Sequence, residues 1–116
     1  MEDEKEVETI EDKKEIEKII NEKIKNKEIN LTQNYRIRTA MRDISDEKVM
    51  EIFPQFDKVF AIEKKVLKYG DVGYELFYKL SNNVTFSIAT CPKEKKIDFI
   101  HAIEYKRSLA KRFKMK

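Results

Sequence analysis

With 116 residues, 41% of them charged and 41% hydrophobic, the chain is long enough for one domain with its own core. It is too apolar for a wholly disordered polymer and too charged for a membrane protein. The net charge of +3 hides a division: residues 1–28 hold 11 acidic and 7 basic side chains, whereas residues 29–116 hold 11 acidic and 18 basic, so the body of the chain suits an anionic partner.

No apolar run approaches the roughly 20 residues needed to span a bilayer. The acidic start Met1-Glu2-Asp3-Glu4 is unlike a secretory signal, so a cytoplasmic protein without a membrane partner is expected. Cys91 is the only cysteine and His101 the only histidine. An internal disulfide is therefore impossible, a zinc site of soft ligands is nearly excluded, and neither metal nor other cofactor is expected. Gly70 and Gly73 are the only glycines, which leaves little material for a phosphate-cradling loop, and no nucleophile elbow is present. Abundant Lys, Glu and Ile beside only two glutamines, Gln33 and Gln55, resemble a heat-adapted composition.

Residues 5–28, without Gly or Pro, predict a charged helix with a thin apolar stripe of Val7, Ile10, Ile16, Ile20 and Ile24. It reads either as a solvated arm or as a docked helix. Residues 26–34 read as a linker, so the chain is expected to divide into an arm and linker over 1–34 and a domain over 35–116. Beyond Tyr35, the residues Ile37, Ala40, Met41 and Ile44 recur at i, i+3, i+4 and i+7, one face of a helix that carries Arg38 and Arg42 on another face. Ser45 followed by Asp46 and Glu47 is an N-cap with the acidic first turn that a helix dipole favours. Val49, Ile52 and Phe53 continue the apolar face, and Pro54 ends this second helix.

Strands are predicted over 58–68, before the turn Tyr69-Gly70-Asp71-Val72-Gly73, and over 74–80, where Tyr74, Leu76, Tyr78 and Leu80 alternate with Glu75, Phe77 and Lys79. After the Asn82-Asn83 turn, residues 84–91 and 97–104 supply two more. The expected fold is α+β: two short helices packed on a four-stranded antiparallel meander, preceded by a charged N-terminal helix and followed by a basic C-terminal helix or tail.

This order of elements resembles the RelE-like superfamily of toxin ribonucleases. The string Arg38-Thr-Ala-Met-Arg42-Asp-Ile44-Ser45-Asp-Glu-Lys-Val49 is similar to the arginine-helix, Ile-Ser, helix pattern of that group, and Ile97 to Tyr105 is similar to its closing strand. The resemblance covers about residues 35–107, and Tyr35 stands where related domains often begin the first helix with a histidine. It implies RNA cleavage without metal, acting on mRNA or ribosome-bound RNA, and an antitoxin-like protein partner.

Such cleavage needs a base for the 2′-hydroxyl, cations for the phosphorane and an acid for the leaving oxygen. The material here is His101, Tyr105, Lys106 and Arg107, with Arg38 and Arg42 able to grip phosphate in a bidentate manner. The last twelve residues carry six basic side chains and no acidic one. Lys111, Arg112 and Lys114 in that run are expected to track a nucleic-acid backbone, and five such cations on a single strand give a slope of about −3.5 in log K against log salt.

Other readings stay open. His101 and Tyr105 also read as packed strand residues, with His101 on the strand face of Ile97, Phe99 and Ile103. The basic end also reads as a solubilising tail. Tyr69, Tyr74, Tyr78, Phe77 and Phe86 read either as a stacking platform or as core. A non-catalytic RNA- or ribosome-binding module, or a protein-interaction domain regulated by its acidic arm, are the alternatives to a nuclease.

Overall fold

A computed structural model describes residues 7–106. The chain runs through β1 (Val7–Ile10), α1 (Lys13–Ile19), which passes into a π-helical turn (Ile20–Ile24), β2 (Glu28–Leu31), α2 (Gln33–Arg42) and α3 (Asp46–Ile52). A short 3-10 turn (Phe56–Lys58) leads into four longer strands, β3 (Val59–Val66), β4 (Val72–Ser81), β5 (Val84–Pro92) and β6 (Lys96–Tyr105). The six strands lie in the order β1-β3-β4-β5-β6-β2. β2 runs parallel to β6, and every other neighbouring pair is antiparallel.

The α+β class therefore stands, but the four-stranded meander is corrected, among the described residues, to a six-stranded mixed sheet with three α-helices. The charged helix expected over 5–28 is also corrected. It is interrupted by strands on either side, and those strands form both edges of the sheet. Ile16, Ile20 and Ile24 of the helix between them are buried against the core. Burial of this stripe and pairing of the four-residue strands outweigh the helical propensity of a Glu/Lys-rich segment, because tertiary packing rather than propensity supplies most secondary-structure stability.

Each helix begins on a side-chain cap: Asp12, Thr32 and Ser45 accept from the amides of Glu15, Tyr35 and Lys48 at 3.0, 3.1 and 3.2 Å. α2 ends on Asp43 in the left-handed conformation, at φ 57°. The helices cover one face of the sheet, where Ile62, Leu76, Tyr78, Phe86, Ile88, Ile97, Phe99 and Ala102 form the core. The buried face of α2 is not the Ile37/Met41 stripe that periodicity selects. Tyr35 and Thr39 face inward, whereas Ile37 is 52% and Met41 81% exposed. Tyr35 prevails because its ring packs on Phe99 and its hydroxyl donates to Asp46 at 2.9 Å, combining apolar burial with a satisfied polar end.

Candidate nucleic-acid interface

β2 covers only the first part of β6, from Lys96 to Phe99. Beyond it the edge of β6 is taken by side chains of α2: Asn34 donates to the Ile100 carbonyl at 3.0 Å and Arg42 to the Ala102 carbonyl at 3.3 Å. Carbonyls two residues apart point to the same side of a strand. A helix laid along the edge can therefore satisfy both and remove an aggregation-prone border. This docking fixes Arg38, between Asn34 and Arg42 in sequence, beside β6.

At the same place β6 contains a bulge. Ala89 pairs with His101 and Thr90 with Phe99, so Ile100 has no partner across the ladder. One extra residue reverses the inward and outward alternation. Ile97 and Phe99 enter the core before the bulge and Ala102 after it. His101 thus leaves the face of Ile97 and Phe99 and turns, with Ile100, toward the side of the sheet away from the helices. Uninterrupted alternation had placed it with those two core residues; the bulge corrects this.

His101 and Ile100 line an open cavity of about 280 Å³ with Asn34 and Arg38 of α2, Lys65 of β3 and Glu75 of β4. Glu63 lies directly across from Glu75 in the β3–β4 register and also lines it. Ser87 donates to Glu75 at 2.7 Å, which holds that carboxylate in place. The imidazole is partly buried, and its Nδ1 is buried without a hydrogen bond among the described residues. Burial, reinforced by the positive charges of Arg42, Arg38 and Lys65, lowers the His101 pKa to about 4. The ring is neutral at physiological pH and offers one donor nitrogen and one acceptor.

That lowered pKa has a measurable consequence. Between pH 6.5 and about 4 the unfolded chain accepts a proton on His101 that the folded chain refuses, so acidification across this window destabilises the fold. The ring is partly exposed, and solvent screening reduces the effect to about 1–2 kcal/mol. In urea titrations at the two ends of the window, His101→Gln is expected to lose about 1–2 kcal/mol less stability than the wild type. Equal losses in the two proteins refute the assignment.

The structure brings Arg38, Arg42 and His101 together, as three cationic or titratable groups from α2 and β6, but it does not bring Tyr105 or Lys106 to them. Tyr105 shares the His101 face, four residues further along β6, which is about 13 Å at strand rise. Its ring stacks on Phe77 with centroids 6.4 Å apart. Lys106 is exposed just past the strand end. Arg107, Lys111, Arg112 and Lys114 lie outside the described residues.

The aromatic platform is not formed: Tyr74, Tyr78, Phe77 and Phe86 are buried, and Tyr69 alone of the five is exposed. Burial pushes the Cys91 thiol pKa up, which keeps it protonated and unreactive. Lys65, Glu75 and Asn34 were missed as site residues. The alternation of β4 marks Glu75 as outward-facing, but nothing local distinguishes Lys65 from Lys64.

Among the described residues no group of three His, Cys, Asp or Glu side chains is placed to hold a metal ion, and no helix is long and apolar enough to cross a membrane. No family model, curated protein or solved structure matches the chain. The functional reading therefore rests on the residues themselves.

Proposed function

We propose that this chain is an RNA-binding domain whose contact surface is the α2–β6 edge and the cavity beside it. The observation that carries this reading is the convergence of Arg38 from a helix and Lys65 from a distant strand on one open cavity, with Arg42 close enough to act on the His101 ring that lines it. Arg38 and Lys65 make no hydrogen bond or ion pair with any described residue, so their donors are available to phosphate oxygens. Neutral His101 adds hydrogen-bonding capacity without a charge of its own. The basic run that ends the chain supplies further cations for the same polyanion.

Binding is favoured over cleavage because acid–base partners must both lie within about 2.6–3.2 Å of the reacting atoms. His101 and Tyr105 sit at opposite ends of one strand segment. A ribonuclease of the RelE-like type is the second reading, favoured by a neutral imidazole beside Arg38 in the cavity.

An electrophoretic experiment separates the two: labelled single-stranded RNA is incubated with the full chain in chelator and scored for both mobility shift and cleavage. A salt-sensitive shift with intact RNA is the expected result. Cleavage that disappears in His101→Ala establishes the nuclease instead, and the absence of both at low salt overturns both readings.

A further inference from the structure

The cavity is bipolar. Arg38 and Lys65 give it a cationic rim, and the Glu75 carboxylate gives it an acidic wall. A site for phosphate alone gains nothing from a carboxylate, which repels the anion. A ligand that matches both ends carries an anionic group at one end and hydrogen-bond donors at the other. At about 280 Å³ the cavity is at the small end of ligand sites, room for one base rather than a stack. Leu67, Ala89 and Ile100 offer it apolar contact.

We propose that this cavity seats a single unstacked guanine nucleotide, its phosphate on Arg38 and Lys65 and its Watson–Crick edge on the Glu75 carboxylate. The choice among bases follows from their edges. Guanine presents N1–H and the N2 amino group side by side, two parallel donors that fit the two oxygens of a carboxylate. Adenine and cytosine each place an acceptor nitrogen next to their single amino group. Uracil flanks one N–H with two carbonyls, which a carboxylate repels.

Glu75 is prepared for this role. The Ser87 hydroxyl, itself fully buried, fixes the carboxylate in advance, so little orientation remains to be lost on binding. His101 lines the same cavity, where its neutral ring adds hydrogen-bonding capacity beside the base.

This inference deepens the RNA reading and rests on it, and its test keeps the two apart. The full chain is titrated calorimetrically with guanosine, inosine and uridine 5′-monophosphates, and by fluorescence anisotropy with labelled oligouridine and an alternating guanine–uracil oligomer. Guanosine monophosphate is expected to bind roughly tenfold tighter than uridine monophosphate, with inosine monophosphate, which lacks the N2 amino group, in between. Glu75→Gln is expected to erase the preference, and Arg38→Ala to weaken all three nucleotides about equally. Thermal melts of both variants establish that they fold.

Equal affinity for the three nucleotides, or a preference that survives Glu75→Gln, overturns the guanine assignment. Tight oligomer binding that ignores base identity defeats the assignment and leaves the RNA reading standing. Selective binding of guanosine monophosphate without affinity for either oligomer has the opposite meaning.

Discussion

Removing Arg38 and Lys65 together is expected to weaken RNA binding by about a hundredfold and to flatten its salt dependence. Each side chain lines the cavity and is unpaired among the described residues. Neither therefore has to abandon a partner among the described residues to reach a phosphate. A charge-assisted hydrogen bond contributes about 1.5 kcal/mol or more, close to a tenfold factor for each cation lost. Two fewer neutralised phosphates on single-stranded RNA also lower the slope of log K against log salt by roughly 1.4.

Measuring affinity across a salt series for wild type and for Arg38→Ala/Lys65→Ala tests both numbers at once. Arg42 is left intact in this variant because its guanidinium holds the Ala102 carbonyl at the sheet edge. An unchanged slope means that phosphate binds elsewhere on the molecule.

Phe99→Ala is expected to produce the largest loss of stability, about 3–5 kcal/mol, the range for deleting a fully buried aromatic ring. Phe99 is inaccessible to solvent, with the Phe53 and Tyr35 rings edge-on to it at 4.9 and 6.1 Å between centroids. These contacts join α2 and the end of α3 to the central part of β6. At about 4 °C per kcal/mol for a chain near this size, Tm falls by roughly 12–20 °C. Met41→Ala, on the exposed side of α2, is the matched control and is expected to stay within about 0.5 kcal/mol of wild type. Urea unfolding of the three proteins checks the ranking. A Phe99→Ala cost below that of Met41→Ala would mean that the core is not organised around this ring.

β4 was legible because Tyr74, Leu76, Tyr78 and Leu80 alternate with Glu75, Phe77 and Lys79, and the turns at residues 69–73 and 82–83 mark off its neighbours. That period survives wherever one face of a strand is buried and is lost only at a slip such as Ile100. The slip itself has no local signature: Asp98-Phe99-Ile100-His101 alternates as well without a bulge as with one. β1 and β2 were illegible for a different reason. Four residues such as Val7 to Ile10 or Glu28 to Leu31 have no strand identity until β3 and β6 lie beside them. Of the site, the lone histidine and the i, i+4 arginines stood out as residue types. Their meeting with Lys65 and Glu75 is a product of the sheet register, which a linear reading does not contain.

The edge strands have a further consequence for how the protein is made. Asn30 of β2 bonds to Asp98 of β6, and the two are 68 positions apart. At a synthesis rate of about 5–20 residues per second, β2 emerges roughly 3 to 14 s before its partner exists. During that interval it continues directly from residues 1–28, which hold 11 acidic and 7 basic side chains, and this charged flank discourages the pairing with foreign strands that an exposed ribbon invites. The same glutamates and lysines that give residues 5–28 their helical appearance thus protect a nascent chain whose β2 edge closes last.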